Sequence, residues 1–180
     1  MNGKKINEIF EKNKLNTKDK LKLDSLEFTQ LVIDIENSFK IQFDDDDLIF
    51  ENFNSLDKIK KLIEKAVVNK YKKYLYRDVF VKIDRKLGDL HPEFDYVYPL
   101  NYGYIPNTIS EDNEEIDAYV LGVFSPIIEF NGVCKGIVQR YNDEENKLII
   151  MPKDKEYSVE QMEALIEFQE RFFEHRIIVK

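Results

Sequence analysis

The stretch Tyr98-Pro-Leu-Asn-Tyr-Gly-Tyr-Ile105-Pro-Asn-Thr-Ile-Ser-Glu-Asp112-Asn-Glu114-Glu-Ile-Asp117 decides how the chain is read. Pro99, Gly103 and Pro106 mark turn and loop backbone, and a run of acids follows before the apolar stretch 116–124. In a strict strand, residues 112 and 114 would point away from 117. They converge only if 112–114 form a turn that enters a strand at Ile116. Asn113, and the absence of apolar residues directly before Ile116, fit such a turn. A second acidic run, Asp143-Glu-Glu145-Asn-Lys147, lies between the strand-like segments 132–140 and 147–151 and reads as a hairpin turn. If both turns share one mouth, each carboxylate pair about 4 Å apart repels by ~1–4 kcal/mol, which a divalent cation relieves. Oxygen-only ligands favour Mg²⁺. The same spacing also describes two solvated turns.

Outward from this stretch, Val79, Val81 and Ile83 alternate with Phe80 and Lys82 and predict a strand. Ser158-Val-Glu-Gln161 is a capping box. It opens a helix with Met162, Leu165, Ile166, Gln169, Phe172 and Phe173 at helical spacing. Residues 177–179 can return to the sheet. Short strands with frequent turns predict a small closed β-barrel carrying a C-terminal helix. His91 and His175 read as surface or helix-end residues, and Cys134 as a buried strand residue.

The first part is different. Residues 4–87 contain neither Gly nor Pro, although the chain has six and five of them. Helices avoid these residues and tight turns use them. Ile6, Ile9 and Phe10 form a short stripe. Asp24 with Glu27 is a capping box for a helix over 25–39, whose stripe is Phe28, Leu31, Val32, Ile35 and Phe39. Glu27, Gln30, Asp34 and Asn37 take its other faces. Another helix opens at Asn54 or Ser55, with Ile59, Leu62, Ile63, Ala66 and Val67 as its stripe. The acids at 44–47 read as a solvated loop, since a calcium loop needs a Gly and a distal Glu that are missing. The expected fold class is α+β: a helical bundle over 1–69, a basic, aromatic link over 70–77, and a β-barrel domain over 78–180.

Composition narrows the function. The 180 residues carry 27 basic and 35 acidic side chains, a formal charge of −8. This disfavours nucleic acid as a partner. No apolar run is long enough for a membrane span, and the N-terminus does not read as a secretory signal. One cysteine cannot form an intrachain disulfide, which fits a reducing cytoplasm. Residues 24–57 hold ten acids against Lys40 alone, a face suited to basic partners. Ser25 sits among first-turn amides that favour an attached anion; from Asp24-Ser25-Leu26 alone it reads first as an ordinary helix-start residue.

Two longer patterns carry resemblances. Leu23-Asp24-Ser25-Leu26, then Leu31-Val32, Ile35-Glu36, Phe39, Ile41, the acidic loop and Asn54-Ser55-Leu56 resemble acyl or peptidyl carrier proteins over residues 4–68. That resemblance implies 4′-phosphopantetheine on Ser25, attached by a phosphopantetheinyl transferase. The acidic helix would dock an acyl- or aminoacyl-adenylating enzyme or an acyltransferase. The segment before Ser25 is shorter than in that family.

Tyr98-Pro99-Leu-Asn101-Tyr102-Gly103-Tyr104-Ile105 followed by Asp112-x-Glu114-x-x-Asp117 resembles family I soluble inorganic pyrophosphatases. The likeness continues through Gly136, Lys147, Met151-Pro152 and Phe172-Phe173-Glu174-His175. It implies a five-stranded OB-like barrel and Mg²⁺-dependent hydrolysis of pyrophosphate to two phosphates. Carried over by position, Asp112, Glu114, Asp117, Asp143 and Glu145 are the metal set. Glu114 stands where an Asp helps generate the nucleophile. Tyr102 and Lys147 are active-site residues, and Arg85, Lys86, Tyr98, Lys147 and Arg176 contact phosphate. Glu114 is one methylene longer than the family residue, the segment between Val79 and Tyr98 is short, and Arg176-Ile177 replaces Tyr-Lys.

The combined expectation is a carrier fused to a pyrophosphatase that pulls adenylate-dependent loading forward, with self-association open. The alternatives are a carrier with a non-hydrolytic phosphate-binding or docking domain, or a hydrolase of another diphosphate or phosphoester.

Overall fold

The structure, a computed structural model, describes residues 3–15, 21–92, 94–141, 143 and 145–180. Glu144 of the second acidic run lies outside these residues. The chain divides into two compact units, Met1–Lys70 and Tyr71–Lys180.

In the first unit, helices α1 (Gly3–Lys12) and α2 (Ser25–Phe39) and most of α3 (Leu56–Lys72) surround short 3₁₀ turns at Asp45–Asp47 and Phe50–Phe53. Asp24 starts α2 as read from sequence. Its carboxylate accepts from the amides of Leu26 (2.8 Å) and Glu27 (2.9 Å), and Glu27 Oε2 accepts from the Asp24 amide at 2.9 Å. Lys40 ends the helix in the left-handed region. Leu31, Ile35, Ile6, Phe10, Phe53, Ile59 and Ile63 are buried. Phe28 joins them by edge and tilted contacts with Phe53 and Phe50.

Asp34 departs from expectation, being buried rather than outward-facing. Lys12 Nζ (2.8 Å), Asn13 Nδ2 (2.8 Å) and Gln30 Nε2 (3.0 Å) all donate to it. The Lys12 bond first, helped by the two amides and opposed by desolvation, lowers its pKa. A buried carboxylate is tolerated because its acceptor sites are filled. The acids of 45–47 are not all free in solvent: Lys65 Nζ pairs with Asp47 at 2.6 Å.

In the second unit, strands β1 (Asp78–Arg85), β2 (Asn101–Ile105), β3 (Ile116–Val120), β4 (Glu129–Arg140), β5 (Lys147–Met151) and β6 (His175–Ile178) form one sheet in the order β1-β2-β3-β5-β4-β6. Where a five-stranded barrel is expected, the observed arrangement is this six-stranded sheet with a further β1–β4 pairing, so the ladder returns to its first strand. The β3–β5 pair is parallel; the others are antiparallel. Helix α4 (Val159–Glu170) starts at the expected Ser158 capping box. It buries Met162 and Ile166 against Tyr98, Leu100, Tyr102, Tyr119, Leu121, Val138, Ile149 and Met151.

Three local readings change. The segment Tyr98 to Ile105, read as loop, contains β2. Its Asn101, Tyr102, Gly103 and Ile105 are all buried, so no alternation betrays the strand. The apolar run from Ile116 leaves the sheet at Val120, and Gly122 turns there with φ +79°. The expected link also contributes to the second unit: Leu75 bridges to Cys134, and the Tyr76 amide donates to the Cys134 carbonyl at 2.8 Å. Cys134 is buried as expected, and burial pushes its thiol pKa up to about 12.

Gly103 marks the closest approach of β1 and β2: a Cβ there would lie 2.0 Å from the Lys82 carbonyl oxygen. Gly103→Ala is expected to destabilise the protein by ~3 kcal/mol, the upper end of overpacking costs, read as a lower urea midpoint. His175, expected at the surface, is partly buried between the Phe173 carbonyl and Glu163. Burial opposes its charge, but these two acceptors raise its pKa above 6.5. The stabilisation from its charged form is therefore complete below pH 6.5 and disappears as pH rises through the higher folded value. The stability gap between wild type and His175→Gln should be larger at about pH 6 than at about pH 9, measured by urea unfolding.

Candidate active site

The acidic turn before β3 closes on itself. The Ser110 amide donates to the Glu114 carbonyl (2.7 Å), the Glu114 amide to Asp112 Oδ1 (2.9 Å), and the Ile116 amide to Thr108 Oγ1 (2.9 Å). Asn113 takes φ +78°, a left-handed position that Asn tolerates. The turn therefore enters β3 at Ile116, the condition under which its acids converge. Asp112, Glu114, Glu115 and Asp117 line one cavity of about 150 Å³ with Ser110, and with Glu145 and Asn146 from the β4–β5 hairpin.

Lys147, first residue of β5, is fully buried at the inner side of this group. Its Nζ lies 2.5 Å from Asp117 Oδ2, 2.9 Å from Glu145 Oε2 and 2.7 Å from the Tyr102 hydroxyl. Tyr102 also donates to Asp117. Burial works against the ammonium, yet Asp117, with Glu145, raises its pKa overall, so it stays charged. Tyr102 is held as a neutral phenol, by burial first and then by Asp117.

The other expected residues lie elsewhere. Asp143 does not line the cavity; it accepts from Arg140 Nη1 at 2.6 Å. Arg85 pairs with Asp84 at 2.8 Å, and Lys86 is exposed. Tyr98 is buried among Tyr96, Tyr102, His91 and Phe168, and burial raises its pKa. Arg176 is exposed, with Nε on Gln139 Oε1 at 3.0 Å. None of these four is a cavity-lining residue. Ser25, in the first unit, is exposed as the first residue of α2.

Two buried polar groups escaped the sequence reading. Arg140 and Glu170 pair across 2.7 Å. Asn146 accepts from the Arg140 amide (3.0 Å) and donates to Glu111 (3.4 Å), which also accepts from Tyr71 (2.8 Å). Glu170 had a usable signal: with Met162 and Ile166 it completes the i, i+4, i+8 row that α4 buries. Arg140 had none, because a basic residue at a strand end usually faces solvent.

A model of the inorganic pyrophosphatase family matches residues 81–178, wholly within the second unit. The chain belongs to the inorganic pyrophosphatase family. It is 34% identical over 89 residues to an inorganic pyrophosphatase of Saccharolobus solfataricus, covering 46% of this chain and 49% of that one. It is 32% identical over 89 residues to that of Sulfolobus acidocaldarius, with the same coverage. The chain thus spans about half the length of the curated pyrophosphatases it matches. Among solved pyrophosphatase structures, that from Ehrlichia chaffeensis is similar with TM-score 0.47 at 16% identity, covering 58% of this chain and 87% of that one. That from Helicobacter pylori is similar with TM-score 0.40 at 22% identity, covering 58% and 82%.

The family implies Mg²⁺, and the chemistry of the donor set fits it. The cavity's charged side chains are carboxylates, hard oxygen donors. Among the described residues, no group of three or more His, Cys, Asp or Glu is already drawn together around one point. The Lys147 ammonium instead takes up Asp117 and Glu145. Among the described residues no helix is long and apolar enough to cross a membrane.

Replacing the Tyr102 hydroxyl tests this inner wall. Tyr102→Phe is expected to fold and to lose its bonds to Asp117 and Lys147, at ~2–3 kcal/mol because a donor of the buried ammonium is left unpaired, read by thermal unfolding.

Proposed function

We propose that the second unit is a Mg²⁺-dependent diphosphatase that hydrolyses pyrophosphate to two phosphates. The observation that carries this reading is the convergence of Asp112, Glu114, Asp117 and Glu145 on one cavity, with the Lys147 ammonium behind it. Asp112, Glu114, Asp117 and Glu145 would hold the cation, which screens phosphate charge and acidifies a bound water. Lys147 Nζ, now bonded to Asp117, Glu145 and Tyr102, would turn to a phosphate oxygen only as the cation takes over those two carboxylates, and the Tyr102 hydroxyl orients Asp117 and Lys147. Water adds to one phosphorus as the bridging P–O bond breaks, and a Glu114 carboxylate oxygen takes the water's proton. Arg85, Lys86, Tyr98 and Arg176 remain the expected phosphate contacts. Asp143 belongs to the expected metal set, although its described partner is Arg140.

Phosphate release from pyrophosphate with Mg²⁺ tests the assignment. Asp117→Asn should lower kcat/KM by ~100-fold or more, and should also lower the thermal midpoint because the buried Lys147 loses one of its two carboxylate partners. Absence of Mg²⁺-dependent release by the wild type would overturn it, leaving the non-hydrolytic phosphate-binding reading or hydrolysis of another phosphoester.

A second reading concerns the first unit. Ser25 is exposed at the start of a fifteen-residue capped helix, beside Leu26, which is 78% exposed. This supports attachment of 4′-phosphopantetheine to Ser25 and docking of acidic α2 on a loading enzyme. A carrier tethered to a diphosphatase would favour adenylate-dependent loading. Incubation with a phosphopantetheinyl transferase and coenzyme A should raise the intact mass of wild type and leave Ser25→Ala unchanged. Equal mass in both would dismiss the carrier role without touching the hydrolase.

A further inference from the structure

The side chains of Arg140 and Glu170 are 1% and 0% exposed. Burying two charges costs several kcal/mol, and an apolar pair would often hold α4 to the sheet as well. The arrangement points to a use beyond packing. Arg140 Nε donates to Glu170 Oε2 at 2.9 Å and Nη2 to Oε1 at 2.7 Å, so the guanidinium fork is filled. The Phe173 ring covers its face, 3.5 Å from Cζ. The Tyr119 hydroxyl donates to Glu170 at 2.5 Å and fixes the carboxylate in turn.

The remaining edge of Arg140 faces the β4–β5 hairpin. Nη1 donates to Asp143 at 2.6 Å and lies 3.5 Å from Glu145 Oε2. The Arg140 amide holds Asn146. Glu145 and Asn146 are the hairpin's contribution to the cavity. Glu145 is thus held between two buried cations, Lys147 and Arg140, and only the latter is locked by α4.

We propose that Arg140 and Glu170 are positioning residues for the acidic cavity: Glu170 locks the guanidinium, whose outer edge sets Glu145 at the cavity wall to share a divalent cation. This rests on the metal-dependent reading of the cavity. A lysine at 140 keeps the charge and cannot span Glu170 and the hairpin together.

The test uses Mn²⁺ as the divalent probe, titrated calorimetrically into the full-length chain, with pyrophosphate kinetics and thermal midpoints measured alongside. Arg140→Lys should weaken Mn²⁺ binding about tenfold. In a Glu145→Gln background the same change should weaken it by less than about twofold, because the shared route is already cut. Wild-type affinity in folded Arg140→Lys, or effects that multiply in the double variant, would overturn the proposal. Should Arg140→Lys fail to fold, Tyr119→Phe replaces it in the same cycle with Glu145→Gln, judged by the same criterion. Asp117→Asn separates the two readings. If it binds Mn²⁺ like wild type, the metal-dependent cavity falls, and this proposal with it. If it loses Mn²⁺ while Arg140→Lys does not, only the positioning role falls.

Discussion

A buried ammonium must have its three donors met, and Lys147 meets them with groups from three places in the chain. Asp117 comes from β3, Tyr102 from β2, and Glu145 from the hairpin before Lys147 itself. Leaving that charge unpaired in the interior would cost far more than any single packing contact. The register of the sheet is therefore tied to the site. The β2–β3 ladder sets Tyr102 opposite Tyr119 and Tyr104 opposite Asp117, and the parallel β3–β5 pair brings Ala118 against Leu148. A one-residue slip would turn these side chains to the opposite face.

Around this centre, polar side chains do much of the joining that a larger apolar core would do elsewhere. Asn101, fully buried, accepts from the amides of Leu87 (3.1 Å) and Ile127 (3.2 Å) and donates to the carbonyls of Ser125 (3.0 Å) and Val123 (3.4 Å). Arg140 and Glu170 tie α4 to the hairpin, and Asn146, Glu111 and Tyr71 bind the hairpin to the acidic turn. Among the described residues, no buried side-chain nitrogen or oxygen lacks a partner. Such satisfied networks fix geometry where loops would otherwise drift. A cavity intended for several carboxylates needs that rigidity, since its own charges push it apart.

The acidity of the chain separates by position. In the first unit the described acids are spread over the three helices and the turns between them; among them Asp34 is buried, its carboxylate enclosed by Lys12, Asn13 and Gln30. In the second, Asp112, Glu114, Glu115 and Asp117 from the turn into β3 gather with Glu145 of the β4–β5 hairpin at one cavity. A surface charge is screened within about 10 Å at ordinary salt, whereas charges grouped in a cavity act on one another and on whatever enters.

What the sequence determined by itself was local. The capping boxes at Asp24 and Ser158 and the apolar rows of α2 and α4 were legible because each is complete within a few residues. So was the motif from Tyr98 to Asp117, including the condition that Asp112 and Glu114 lie in a turn. β2 stayed hidden in that motif, because a strand buried on both faces shows no alternation. Asp34 was misread because its partners include Lys12 and Asn13 on a different helix and its end. Only the tertiary structure chose among the candidate acids and bases. It brought Glu145 and Lys147 to Asp117, turned Asp143 toward Arg140, and buried Arg140 on Glu170. The pairings of Asp117 with Lys147 and of Arg140 with Glu170 each join residues 30 positions apart, where the energy lies in desolvated charge pairing and not in any local pattern; Asp143 follows because Arg140, three residues before it, is fixed by Glu170.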